Sequence, residues 1–382
     1  MFTISARNGR AATGVILASL ALVTSGCSAG SGGSSNAGGG NISSEAKACV
    51  DKATAYLDKN GGEPAKLPDV LKPLAAPPKA GKIIKLSQAN VPSDVAAGEG
   101  IKAAATAAGW GYEQITHDGS VEDVNAKLLE AIKKKPTFVT IDGWPPAAVQ
   151  PAVKAAKAAG VDLMLAATPG DKPDAVPGFA ASPRSGDMFK NLGTLGAYQF
   201  MKSTNCAGKA VVFDLSAQAM IDVRDGFLAA VKENCPNCSA TGVELQATDI
   251  GSPALANSVV SKFQSDPTLN FAFFTIGDIG VGMDSSLKQA GVTAKIAGAI
   301  PSPVNLQSLV AGTNDFWIGV PTDISGWIDV DTALRAVASG KPTLEDAFPF
   351  SVLTKDNVKD PKAVPVFPAD YQDQFKKLWG VN

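Results

Sequence analysis

From Lys82 onward the chain alternates between short apolar runs and alanine-rich amphipathic segments. KIIKLS, YEQIT, TFVTI and VDLMLAA read as strands, and DVAAGEGIKAAATAAG, VEDVNAKLLEAIKKK and PAAVQPAVKAAKAAG read as the helices between and after them. The second helix carries Val121, Val124, Leu128, Leu129 and Ile132 on one side, and the third closes on Gly160. After a helix over about 187–203 the pattern repeats. KAVVFDL, GVELQAT, NFAFFTI and AKIAGAI are its strands, and AMIDVRDGFLAAVKEN, PALANSVVSKFQSD and GVGMDSSLKQAG its helices. Such alternation demands parallel strands with helices on both faces. The expected fold class is therefore α/β, with two doubly wound, Rossmann-like parallel-sheet lobes joined by a hinge near AASPRSG (180–186). A chain of 382 residues is long enough for two such cores. One more helix, DVDTALRAVASG, follows DFWIGV and fits a return to the first half, and the chain ends in YQDQFKKLWG. The expected division is 82–183 plus about 322–348 for the first lobe, and 184–321 plus about 349–382 for the second.

Residues 1–27 read as a secretory signal: Arg7 and Arg10 precede an apolar run from Ala11 to Val23, then small residues lead to Cys27. The run is too short for a membrane-spanning helix. TSGC resembles a bacterial lipobox, with Thr24 where an aliphatic residue is usual, so Cys27 is the expected lipidation site. A flexible Gly/Ser tether covers 28–42, and 43–81 holds a helical segment and a proline-rich connector. The expected location is the extracytoplasmic face of the cell membrane. Four further cysteines, Cys49, Cys206, Cys235 and Cys238, allow three disulfide pairings. Cys206 and the CPNC pair each precede a strand at the same end of a sheet, so a bridge from Cys206 to Cys235 or Cys238 is expected.

Charge excludes some functions. There are 34 basic and 36 acidic residues and no basic run with interleaved aromatics, so no nucleic-acid partner is expected. His117 is the single histidine, which rules out a site built on several. It lies in THDGS and reads as an exposed turn residue. The loops at the strand ends hold no GxSxG, Walker or GxGxxG motif, and GDIGVG has the wrong glycine spacing for a dinucleotide site. No catalytic residue, metal or cofactor is expected.

In open α/β sheets, ligands bind beyond the carboxyl ends of the strands. Here those ends are SQANVPSD, DGWPP, ATPGD, SAQAM, TDIGS, GDIGVG and PSPVN. Asp94, Asp142, Asp249 and Asp278 fall on four separate loops, where aspartate also serves as a helix cap. In DGWPP, Gly143 permits a tight turn and Pro145–Pro146 preset a helical turn, which leaves Trp144 at the strand end.

Five segments together resemble the type I periplasmic substrate-binding proteins of the ribose-binding branch, which serve bacterial ABC importers. They are KIIKLSQANVPSDVAAGEGIKAAATAAGW, TFVTIDGWPPAAVQPAVKAAKAAGVDLML, RDGFLAAVKE, FAFFTIGDIGVGMDSSLKQAGV and ALRAVASGKP. The resemblance runs from about Lys82 to Pro342 and implies hinge closure of two lobes around a small molecule, with delivery to a membrane permease. It implies a lipid-anchored, non-enzymatic monomer. The alternatives are a ligand sensor for a membrane receptor and, less favoured, a membrane-anchored enzyme. The polar contacts the resemblance implies are Ser87, Asn90, Ser93, Asp94, Asp142, Thr168, Arg224 and Asp278, among Trp144, Met220, Ile250 and Ile300. The stacking Phe pair of the sugar carriers is replaced by Ser93 and Asp94, and their Asp-Arg after the fourth strand by Ala167-Thr168. A sugar hydroxyl left unpaired in a closed cleft costs about 1–3 kcal/mol. The expected ligand is therefore a sugar by resemblance, shifted toward a less hydroxylated, partly apolar body, with Trp144 as its platform.

Overall fold

The computed structural model describes residues 43–167, 178–184, 186–339 and 348–381. The signal segment with Cys27, the 28–42 tether, Thr168 with its loop, and Lys341–Pro342 at the end of the resemblance lie outside the described residues.

Helix α1 (Ser44–Asn60) comes first, with the Ser43 side chain accepting from the Ala46 amide at its start. Strands β1 (Lys82–Gln88), β2 (Gly111–His117), β3 (Phe138–Asp142) and β4 (Asp162–Ala166) then form a four-stranded sheet in the order β2-β1-β3-β4. All of its pairings are parallel. Its helices are α2 (Pro92–Ala107), α3 (Val121–Lys133) and α4 (Gln150–Ala159). Pro92 starts α2, where a missing N–H costs nothing, and Gly160 ends α4 at φ 67°.

The chain crosses into a second unit through α5 (Gly186–Ser203). Strands β5 (Lys209–Leu215), β6 (Ser239–Leu245), β7 (Phe271–Phe274), β8 (Lys295–Ala299), β9 (Phe316–Gly319) and β10 (Ser351–Leu353) build a sheet in the order β10-β9-β8-β7-β5-β6. Between them run α6 (Gln218–Asn234), α7 (Pro253–Ser265), α8 (Met283–Gln289), α9 (Pro303–Val310) and α10 (Thr322–Ser339), and α11 (Tyr371–Trp379) closes the chain. Phenylalanines cover both faces of this sheet, Phe213 stacking on Phe274 at 5.3 Å on one and Phe227 against Phe273 at 4.7 Å on the other.

Several elements were not anticipated. PSPVN, read as a loop, opens α9, because Pro303 takes its first turn and Ser302 and Asn305 cap it reciprocally. β10 pairs antiparallel with β9. Residues 349–382 are expected in the second lobe; β10 joins its sheet, while α11 packs against α10, which itself lies on α2. The cause is aromatic: Trp379 stacks on Trp327 at 5.2 Å and donates its indole N–H to Asp331 at 2.7 Å. α10 sits close on α2 because Gly326 and Gly100 face each other; a Cβ at Gly326 would stand 2.1 Å from the Ile101 nitrogen.

The disulfide expectation is corrected. Cys206 pairs with Cys49, and Cys235 pairs with Cys238. α1 lies along α5, with Tyr56 stacked on Tyr198 at 3.8 Å, and so brings Cys49 to Cys206, three residues past the end of α5.

Candidate functional site

β1 is covered on both faces, yet Lys85 at its centre is fully buried. Its ammonium donates to Asp94 Oδ1 at 2.8 Å, from the first turn of α2, and faces Asp142 Oδ2 at 3.0 Å, from the end of β3. Asp142 also receives Arg184 Nη2 at 3.0 Å. Arg184 lies on the crossing between the sheets at φ 63° and holds Asp329 of α10 through Nη2 at 2.9 Å and Nε at 3.3 Å. The result is one chain, Asp94–Lys85–Asp142–Arg184–Asp329, with three carboxylates to two cations, in which Lys85 and Asp329 are buried and the rest half-buried.

The protonation preferences follow from burial set against these partners. Burial alone would push Lys85 down, but Asp142 and Asp94 outweigh it and hold it above the ordinary lysine value. Burial likewise opposes ionisation of Asp142, and Arg184 and Lys85 overcome it, so that carboxyl stays well below its usual range. At Asp94 burial wins over Lys85 and the value is raised. Burial pushes Asp329 up to about 6 against the pull of Arg184.

Above this floor lies a cavity of about 430 Å³ between the two sheets. The first sheet's side contributes Val91, Ser93, Asp94, Asp142 and Trp144, and the crossing contributes Arg184. Met188, Phe189, Leu215, Met220, Ile276 and Ile300 form the opposite wall. Two polar contacts join the walls directly. Asn90 Nδ2 donates to the Ala247 carbonyl at 3.1 Å, and Ser93 Oγ donates to the Asp278 carboxylate. Burial raises Asp278, and the Ser93 hydrogen bond opposes this.

Six of the expected ligand residues thus line one cavity: Ser93, Asp94, Asp142, Trp144, Met220 and Ile300. Asn90 and Asp278 lie outside its lining and join the walls instead. Ser87 is buried beneath, donating to the Asp94 carbonyl at 3.3 Å and accepting from Gln114 at 3.2 Å. Arg224 turns away to pair with Asp214 at 2.9 Å and Asp225 at 2.9 Å. Ile250 packs against the core outside the cavity. Lys85, Arg184, Phe189 and Asp329 were missed. A lysine inside an apolar run was the available signal for Lys85, and an arginine in the small-residue crossing AASPRSG the signal for Arg184.

His117 is also corrected: it is buried at the end of β2, not exposed in a turn. Its Nδ1 accepts from the Gly119 amide at 3.1 Å, and its ring meets Trp144 edge-on at 5.7 Å.

The family profile described as "Periplasmic binding protein domain" matches residues 88–342. No curated protein matches the chain. Among solved structures, an ABC transporter solute-binding protein from Agrobacterium vitis, with bound alpha-D-tagatopyranose, is 20% identical at a TM-score of 0.65, covering 75% of this chain and 100% of its own. One from Mycobacterium smegmatis, with bound glycerol, is 21% identical at 0.64, covering 76% and 100%. A third, from Actinobacillus succinogenes with bound D-allose, is 16% identical at 0.62, covering 73% and 98%. These likenesses establish the type I periplasmic-binding fold.

The buried histidine supplies a direct check on this side of the site. Burial, with Lys85 adding to it, pulls the imidazole down to about 4, against about 6.5 in an unfolded chain. A lowered folded value means that neutral His117 stabilises the fold fully above the unfolded value, a contribution lost as pH falls through the folded one. Because His117 is the only histidine, its ring-proton NMR resonance can be followed without ambiguity. A midpoint near 4 is expected; a midpoint near the unperturbed value would mean that the imidazole is solvated.

Proposed function

The chain belongs to the periplasmic binding protein domain family, and on that premise we propose that it captures one small molecule between its two sheets by hinge closure and delivers it to an ABC permease. It acts as an extracytoplasmic monomer, by binding and without turnover. Residues 1–27 direct its export, and a lipid on Cys27 anchors it to the membrane through the Gly/Ser tether. The ligand is uncharged and partly apolar, less hydroxylated than a pentose or hexose.

One observation carries the ligand reading: the charged groups at the cavity floor are already committed to each other, and most of the wall is apolar. An anionic ligand would compete with Asp142 and Asp329 for Arg184, and a cationic one with Lys85 for Asp94. A neutral ligand need disturb neither pair. Asp94, Asp142 and Arg184 orient its polar end, while Trp144 and Phe189 receive an alicyclic or aromatic body. The sugars and polyols seen in related proteins mark the class from which this ligand departs.

A thermal-shift screen of monosaccharides against alicyclic and aromatic alcohols tests the ligand class. Stabilisation by the second group is expected, with Trp144→Ala weakening the selected ligand roughly 10- to 100-fold. Selective stabilisation by a simple monosaccharide, or an unchanged affinity in Trp144→Ala, would contradict the reading. For the anchor, Cys27→Ser should move the protein from the membrane fraction to the soluble one; retention on membranes would remove that assignment.

A further inference from the structure

The four cysteines meet at the ends of three helices. One disulfide joins α1 to the residues after α5, and the other closes the CPNC turn that follows α6. The Sγ atoms of Cys49, Cys206 and Cys235 all lie within 4.8 Å of one another, so the two bonds abut. Cys235 Sγ also stands 3.6 Å from the Cys206 carbonyl oxygen. Cys206 and Cys235 are buried, whereas Cys49 and Cys238 are half-buried and reach solvent. A bridge that served only to staple α1 would need no second disulfide against it.

We propose that this cluster is a thiol–disulfide exchange site that accepts electrons from a dithiol and passes the opening from the CPNC pair to the bond holding α1. The donor's thiolate attacks the sulfur of half-buried Cys238, the Cys235–Cys238 bond breaks, and the electron pair leaves on Cys235 Sγ. The donor's second thiol attacks the mixed disulfide, releasing Cys238 as a thiol and the donor as a disulfide. The Cys235 thiolate then attacks Cys206 Sγ, a Cys206–Cys235 bond forms, and Cys49 leaves as a thiolate that solvent protonates. Two electrons from the dithiol thus end on Cys238 and Cys49, and one disulfide remains in the protein.

The surroundings favour the second transfer. Cys235 lies just past the carboxyl end of α6, where the helix dipole disfavours a thiolate. A thiolate formed there is basic, hence strongly nucleophilic, and its charge moves to the better-solvated Cys49. The outcome for the fold is specific: α1, and the chain that leads back to Cys27, lose their covalent tie to α5 while the Tyr56–Tyr198 stack stays.

The test uses the full chain carrying Cys238→Ser, in which Cys235 begins as a free thiol. Acid quenching, alkylation with N-ethylmaleimide and peptide mass spectrometry locate the thiol. The label should shift from Cys235 to Cys49, with a Cys206–Cys235 linked peptide appearing; label confined to Cys235 with Cys49–Cys206 intact would overturn the proposal. The unsubstituted protein gives an independent reading under limiting dithiothreitol. Its Cys49–Cys206 bond should open at least roughly tenfold faster than in a Cys235→Ser/Cys238→Ser variant, because the attacking thiol is held in place. Equal rates would overturn the proposal as well.

Discussion

The buried Lys85 charge is the constraint on which the cleft depends. A lysine in the middle of a strand covered on both faces survives there only if carboxylates reach it, since an uncompensated buried charge costs several kcal/mol. Those carboxylates come from two other elements, the first turn of α2 and the end of β3. Asp94 also accepts from the Gln88 amide at 2.7 Å, which fixes the turn between β1 and α2 and so aims Ser93 at Asp278. Asp142 is shared with Arg184, and Arg184 with Asp329, so the same chain of charges reaches through the crossing to α10. Closure of the walls and the mutual pairing of the floor's charges are consequences of one arrangement.

That arrangement divides what a sequence can reveal from what it cannot. The alternation of strands and helices was legible because each element is local, with its burial period and caps contained in a dozen residues. β10 was not, because Ser351–Leu353 is too short to show a period and takes its place by pairing with β9. The ion chain joins Lys85 to Asp142 and Arg184 to Asp329, partners far apart in sequence whose meeting depends on topology. The cysteines show the same limit. Spacing alone leaves the three pairings open, and the choice follows from where α1 docks, which no periodicity in Ser44–Asn60 discloses.

For the ligand site, the rule that solutes sit beyond strand carboxyl ends located half of the expected residues in one cavity. Arg224 lies in the second turn of α6 and goes to Asp214 because that buried carboxylate needs a partner. The rule passed over Phe189, which lies one turn inside α5 rather than at a strand end. Trp144 lies in the cavity lining just past the end of β3. It closes one side of the cavity, and its other edge meets the buried His117 ring.

This cleft holds an uncharged, partly apolar solute over a floor whose cations are already paired with carboxylates. Native mass spectrometry of the protein as purified tests it most directly, by releasing and weighing whatever small molecule is retained. The account predicts a neutral species with an alicyclic or aromatic body and few hydroxyls. A retained hexose, pentose or charged metabolite would contradict it.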